Sequence, residues 1–185
     1  MINIINMYKT RKYSKRDKEL LNKIVDALDD TSIKKQYVNA GSRRKCQGHC
    51  VKTGAIVQKE ARQTIYGKRK YQGKVQASSS TIKYPHILPL FKKFMKSHCH
   101  EFVFTTVYVN KNVKCKKHLD SKNVGESLLV GWGNYTGGET MIYEEENKHT
   151  IDIKQSSVLF NGAEYEHRTL PFKGDRYSFV FYNYC

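Results

Sequence analysis

The hydrophobic period changes partway along the chain, and that change limits the folds open to it. From residue 101 onward apolar side chains recur at every second position in six short runs: "EFVFTTVYVN" (101–110), "SLLVGWG" (127–133), "ETMIYEE" (139–145), "HTIDI" (149–153), "SVLF" (157–160) and "RYSFVFYNY" (176–184). A period of two sends alternate side chains to opposite faces of a strand. The segments "NYTGG", "EEENK" and "FKGD" that separate the runs are rich in turn-forming residues. Short strands at this spacing predict two packed sheets or a barrel.

Helical spacing precedes the strands. "SKRDKELLNKIVDALDD" (14–30) puts Leu20, Leu21, Ile24, Val25 and Leu28 on one face, with Ser14 and Asp17 placed as a capping box. "YPHILPLFKKFMKSHC" (84–99) does the same with Ile87, Leu90, Phe91, Phe94 and Met95, and Pro89 is tolerable only in the first turn. Between them, short strands are expected around Ala55 to Gln58 and Gln63 to Tyr66, and "SSST" (78–81) reads as a loop. Helices followed by strands predict an α+β fold: a double-stranded β-helix core, of jelly-roll or cupin type, buttressed by N-terminal helices. The 185 residues are expected to form one domain, with 1–100 a basic helical and loop region flanking the core and 101–185 the core itself.

Charge is segregated. The formal net charge is +16, yet residues 1–100 carry 23 Lys and Arg against 6 Asp and Glu, whereas residues 101–185 carry 10 against 11. That surplus predicts a polyanionic partner on the face built by the first half, since cations meeting phosphates release counterions. The competing reading is a solubilising lysine-rich surface. Arg62, Lys68, Arg69, Lys70 and Lys74, interleaved with Tyr66 and Tyr71, combine phosphate cations with stacking rings. No run of eighteen apolar residues occurs and the first residues are too quickly charged for a signal peptide, so a soluble, intracellular monomer is expected. Five cysteines, an odd number at low density, fit reduced thiols.

The chemistry-bearing residues lie among the strands. His118 and Asp120 stand two apart where one run ends, so they point to the same side, and His167 follows 49 positions later. Two imidazoles and one carboxylate on one face of an octahedron form the facial triad of non-haem Fe(II) oxygenases, with three positions left open. Two would take a chelating 2-oxo acid and the third O₂. The far carboxylate of that acid needs a planar cation, and Arg176 with Ser178 two residues on supplies a fork and a hydroxyl on one strand face.

These residues carry a resemblance. "VNKNVKCKKHLDSKNVGESLLVGWGNYTGGE" and "HRTLPFKGDRYSFVFYNY" resemble the HxDxxN block and the closing His, Arg, Ser and "VFY" run of the 2-oxoglutarate and Fe(II)-dependent dioxygenases, within them the TET/JBP group that oxidises modified bases. "YGKRKYQG" ahead of "YPHILPLF" resembles, more loosely, the basic aromatic region before the core of small TET-like proteins. The resemblance implies His118, Asp120 and His167 as Fe(II) ligands, and Arg176 and Ser178 as the clamp for 2-oxoglutarate. It also implies Asn123 as a polar contact to the target base and Tyr182 as its stacking partner. Tyr184 stands where mammalian members have a base-contacting histidine, and Arg69 is a further expected substrate contact.

Alternatives stand beside these roles. Asn123 also suits a cap for the turn before Val124, and Tyr182 suits core packing. "CQGHC" (46–50) and "HCH" (98–100) offer Cys46, His49, Cys50, His98, Cys99 and His100 to zinc, but the spacing is loose and free thiols with surface histidines fit better. Gly131, Gly133, Gly137 and Gly138 read as turn glycines, Trp132 as core and "EEE" (144–146) as a solvated turn. The expected function is hydroxylation of a modified base, with double-stranded DNA as partner and 5-methylcytosine as the simplest target. A prolyl-hydroxylase-like enzyme, for which "YTGGET" speaks, and a non-catalytic nucleic-acid-binding module are the other readings.

Overall fold

The computed structural model describes residues 8–29, 56–71 and 73–184. In chain order these form β1 (Tyr8–Lys12), α1 (Lys15–Asp29), β2 (Ile56–Tyr71), β3 (Lys74–Ala77), α2 (Ser79–Lys83), α3 (Ile87–His98), β4 (Thr106–Lys114), β5 (Asn123–Gly137), β6 (Thr140–Glu144), β7 (Asn147–Ile151), β8 (Ser156–Phe160), β9 (His167–Thr169) and β10 (Phe172–Tyr184). A seven-stranded sheet in the order β1-β8-β5-β10-β4-β2-β3 accompanies a three-stranded sheet, β7-β6-β9. Neighbouring strands run antiparallel in both.

Alternation along the central strands decides what each face does. Tyr177, Phe179 and Phe181 of β10, Val107 and Val109 of β4, and Leu128 and Val130 of β5 point toward the helices, where Leu20, Leu21, Ile24 and Leu28 of α1 meet Ile87, Phe91, Phe94 and Met95 of α3. Each such burial is worth about 1.5–3 kcal/mol. On the other face Leu129, Val158 and Phe160 share a second cluster with Ile142, Ile151 and Ile153, so the small sheet closes over the large one. The intervening residues of β10, Arg176, Ser178, Val180 and Tyr182, therefore face the space between the sheets. Outer face and inner face are thus a packed core and a site wall.

The capping box forms as its sequence requires. Ser14 N–H donates to Asp17 Oδ2 at 2.9 Å and Asp17 N–H to Ser14 Oγ at 3.1 Å. The same buried carboxylate accepts from Ser97 Oγ at 2.8 Å and from His98 Nδ1 at 3.0 Å, while His98 Nε2 meets Ser157 Oγ of β8 at 2.7 Å. One side chain thereby ties α1, α3 and β8 together. Burial works against this charge, but the donors of His98, Ser14 and Ser97 outweigh it and lower the Asp17 pKa. A folded pKa below the unfolded one stabilises fully above about pH 4, and that contribution disappears as pH falls through the folded value. Asp17→Ala is expected to cost about 2–3 kcal/mol at pH 7, through the lost cap and the orphaned donors. Urea denaturation at pH 7 and pH 3 should show the gap from the parent narrowing in acid.

Several elements differ from the sequence expectation. The strand read at 101–110 starts at Thr106 and runs to Lys114, because residues 102 and 104 pack sideways onto the helix core. The two short strands read between 55 and 66 are the single β2, and "SSST" opens a helical turn, α2, capped by Ser78 Oγ accepting from Thr81 N–H. The turns read at "NYTGG" and "FKGD" are extended: β5 continues to Gly137 and β10 begins at Phe172. Gly131, Gly133 and Gly137 accordingly lie within β5: a Cβ on Gly133 would stand 2.3 Å from Asp175 O and one on Gly137 2.5 Å from Pro171 O, while one on Gly131 would meet the Ile153 and Tyr135 side chains. β1, β3 and β9 were not anticipated. Trp132 is only partly buried, donating from Nε1 to Asn22 Oδ1 at 2.8 Å while packing on the helix-side core. Among the described residues no helix is long and apolar enough to cross a membrane.

Candidate metal centre

His118 and Asp120 lie in the segment between β4 and β5, and His167 opens β9. Backbone pairing brings them together: His118 N–H donates to His167 O and His167 N–H to His118 O, both at 3.0 Å, and Asp120 N–H donates to Gly162 O at 2.8 Å. His118 Nε2 then stands 3.5 Å from Asp120 Oδ1, and His167 Nε2 stands 3.6 Å from Asp120 Oδ2. One ligand atom from each of the three lies within 4.8 Å of the others.

Both rings are aimed by carbonyls two residues earlier. His118 Nδ1 donates to Lys116 O at 2.7 Å and His167 Nδ1 to Tyr165 O at 3.0 Å. With protons held at Nδ1, each Nε2 keeps its lone pair for a metal, the arrangement that fixes tautomer and ring orientation in metal sites. Burial disfavours charge on His118, but the Asp120 carboxylate and the Lys116 carbonyl outweigh it and raise its pKa. The donor set, two imidazole nitrogens and one carboxylate oxygen, suits Fe(II) with positions left open. Gly162 packs beside it, where a Cβ would make ordinary contact at 3.4 Å with both Asp120 Oδ2 and His167 Cε1.

Arg176 is 2% exposed, and no carboxylate pairs with it among the described residues. Its backbone N–H donates to Asn112 Oδ1 at 2.8 Å and its Nε to Gly138 O at 3.2 Å. The Tyr135 and Phe172 rings flank the guanidinium at 5.6 and 5.4 Å. Gly138 has to be glycine here: a Cβ would come within 2.8 Å of Arg176 Nε. Burial draws the Arg176 pKa below the ordinary guanidinium value. Beside it the Tyr135 hydroxyl is buried next to the guanidinium with no acceptor for its proton among the described residues, and its pKa is pushed up to about 12, chiefly by burial, with Arg176 working against the rise. A buried cation lacking an anion next to a buried hydroxyl lacking an acceptor is a polar deficit that an anionic ligand would fill.

Ser178 is buried on the same strand face as Arg176, with Asn110 Nδ2 3.5 Å from its Oγ. Cys115, just beyond β4, feels the charges of both Arg176 and Asp120, and burial pushes its thiol pKa up to about 11, so it stands protonated near neutrality. Sequence reasoning assigned no role to Tyr135, Asn110 or Cys115. The signal available for Tyr135 was its place in a polar "NYTGG" run, which reads as a turn when it is in fact a strand.

The residues expected to meet substrate are placed as follows. Asn123 N–H donates to Asp120 O at 2.9 Å, and its amide donates to Ser127 Oγ at 3.0 Å with Asp120 Oδ2 at 3.5 Å, so it both closes the turn and reaches the Asp120 carboxylate. Tyr182 is buried on the inner face and belongs to neither apolar cluster. Tyr184 ends β10 opposite Asn123. Arg69 is half-buried on β2 opposite Gln76.

Of the residues weighed for zinc, Cys46, His49 and Cys50 fall outside the described residues. His98 is buried in the Asp17–Ser157 network rather than on the surface, Cys99 is a buried free thiol, and exposed His100 pairs with Glu101 at 3.2 Å.

No protein-family model and no curated protein matches the chain. Solved structures match in shape. NgTET1, in complex with 5mC DNA, gives a TM-score of 0.59 at 10% identity over 96% of this chain and 72% of that one. A Pseudomonas putida prolyl-4-hydroxylase gives 0.55 at 10% identity over 97% and 93%. A Trichoplax adhaerens prolyl hydroxylase, in complex with a hypoxia inducible factor oxygen degradation domain peptide fragment, gives 0.57 at 15% identity over 96% and 84%. At these identities the likeness establishes the fold alone, a double-stranded β-helix. On that fold the chain carries a His–Asp–His triad.

Proposed function

We propose that this chain is a 2-oxoglutarate- and Fe(II)-dependent oxygenase that hydroxylates a modified base in nucleic acid, in the simplest case 5-methylcytosine in DNA to 5-hydroxymethylcytosine. The observation that carries the oxygenase reading is the His118, Asp120 and His167 cluster, with both Nδ1 atoms tied back, facing the same space between the sheets as an Arg176 that no carboxylate pairs with among the described residues. Bound there, Fe(II) with 2-oxoglutarate and O₂ supplies the oxidation that turns a C–H bond into C–OH while the co-substrate is decarboxylated to succinate.

The chain's own residues do the positioning. Nε2 of each histidine and one Asp120 oxygen hold the ion, and the lowered polarity around Arg176 strengthens its hold on the far carboxylate. The Tyr135 hydroxyl and Ser178 are the neutral donors for that carboxylate. A base in a duplex reaches such a cavity only when flipped out of the stack, and Asn123 and Tyr182 are the groups proposed to receive its polar edge and its ring. The segregated positive charge of the first half supports a polyanion as the substrate.

A second reading, hydroxylation of a protein side chain, has an observation of its own: two of the solved structures that share this fold are prolyl hydroxylases, at TM-scores close to that of the TET structure. One experiment separates them. The protein loaded anaerobically with Fe(II) is given 2-oxoglutarate, O₂ and either a 5-methylcytosine duplex or proline-containing peptides, and nucleosides and peptides are read by mass spectrometry. A gain of one oxygen on the nucleoside is expected. Oxygen gained only by peptide would replace the first reading with the second, and succinate release with neither would remove both substrates.

A further inference from the structure

Strand register links the metal site to a surface outside the cavity. At the end of β10, Tyr184 pairs with Asn123, three residues after Asp120, and Tyr182 pairs with Thr106, which in turn pairs with Gly67 of β2. Past Gly67, Lys68 N–H still donates to Thr105 O at 2.9 Å and Lys68 O accepts from Thr106 Oγ1 at 2.8 Å, and from Arg69 to Tyr71 the strand pairs with β3 alone. β2 and β3 therefore continue past the sheet as a two-stranded ribbon at the end where the metal ligands lie.

The ribbon is anchored at its root and exposed beyond it. Gly67 N–H donates to Thr81 Oγ1 at 2.7 Å, Ser78 N–H to Gly67 O at 2.8 Å and Ser78 Oγ to Ile65 O at 2.5 Å, so α2 clasps the root. Gly67 takes φ +94°, and a Cβ there would stand 2.2 Å from Thr105 O. Lys68, Lys70 and Lys74 to Ala77 are exposed, Val75 by 55%. No ion pair among the described residues engages Lys68, Lys70 or Lys74. Residues 61–100 hold nine Lys and Arg and no Asp or Glu. The β6–β7 turn, by contrast, presents Glu145 and Glu146, and Glu164 and Glu166 lie just before His167.

A ribbon of two strands with no apolar face adds little stability of its own, and its like charges repel one another. Lys68 and Lys70 share one face of the ribbon about 6.6 Å apart, while Arg69 and Lys74 lie on the other face, so both faces offer cations to a repeating anion. We propose that the β2–β3 ribbon grips the phosphates of a nucleic-acid strand, which then approaches the cavity from the ribbon side and away from the acidic turn. This rests on the nucleic-acid reading above and names the element that would do the gripping.

The test uses the full chain and a fluorescein-labelled oligonucleotide duplex of unmodified bases, read by polarisation across a salt series. The charge reversal K70E/K74E is compared with K92E/K93E on the exposed side of α3, which changes net charge equally. The ribbon variant is expected to bind at least tenfold more weakly, with a log K against log salt slope shallower by about two, and the α3 variant to stay within twofold of the parent. Equal loss in both variants, or no loss in the ribbon variant, would overturn the proposal. So would a poly-glutamate peptide that competes as well as unlabelled duplex. If K70E/K74E melts early, K70Q/K74Q is read in its place, with a weaker loss of the same sign. Because the probe carries no modified base, binding and oxidation fail separately: ribbon-dependent binding without any base oxidation sinks the enzymatic reading and leaves the ribbon standing.

Discussion

Asp120→Ala is expected to abolish Fe(II) binding and succinate release while leaving the fold in place. The carboxylate is the one anionic member of the cluster, and both Nε2 atoms face it. Two neutral imidazoles remain after its removal, with no charge to offset the ion's desolvation. Losing an outer-sphere partner alone costs about 10- to 100-fold in metal affinity, so loss of this ligand should exceed 100-fold. The polypeptide itself should lose less than about 1 kcal/mol, because the hydrogen bonds that hold this segment, from Asp120 N–H to Gly162 O and from Asn123 N–H to Asp120 O, belong to the backbone. Anaerobic calorimetric titration with Fe(II), beside denaturation of the metal-free protein, reads both quantities. Full turnover by the variant would remove the metal assignment.

Arg176→Met should act on the co-substrate and leave the metal alone. Removing a buried, hydrogen-bonded charge from a ligand's partner costs about 2–5 kcal/mol, so the KM for 2-oxoglutarate should rise by about 30-fold or more while Fe(II) titrates as in the parent. The stability change has an unusual expected sign. Arg176 is fully enclosed with no carboxylate to pair with among the described residues, and replacing such a charge by an apolar side chain of similar length is often neutral or stabilising. The metal-free variant should thus melt no lower than the parent. Arg176→Lys keeps charge but loses the planar fork, and should lie between the two. An unchanged KM in the methionine variant would show that the carboxylate binds elsewhere.

What could be read in the sequence was whatever depends on short-range spacing. The capping box of Ser14 and Asp17 needs only an interval of three, and it formed. The interval of two between Arg176 and Ser178 puts both on one strand face, and the helix-side core holds Tyr177, Phe179 and Phe181 of the opposite face. The elements that escaped are defined by partners far along the chain. β1 is polar and exposed at four of its five positions, a strand only because β8 offers its edge. β9 has three residues and exists through pairing with β6. The extensions of β5 and β10 run through residues with turn chemistry, since each strand satisfies the other's backbone from Phe172 opposite Gly137 onward. That mutual extension is what carries Tyr135 to Arg176, and no local pattern announces it.

The histidine carbonyl contacts have an implication for how this site tolerates change. Each imidazole is steered by the peptide oxygen of Lys116 or Tyr165, not by those residues' side chains. Substitutions at 116 and 165 that keep the main-chain path should therefore be silent at the metal, however different their chemistry. Proline following either carbonyl's residue would not be silent, because it restricts the residue before it. Instructions for aiming the ligands are thus stored in chain geometry, where mutational drift of side chains cannot easily erase them, and sequences far apart in composition can hold the same ion in the same way.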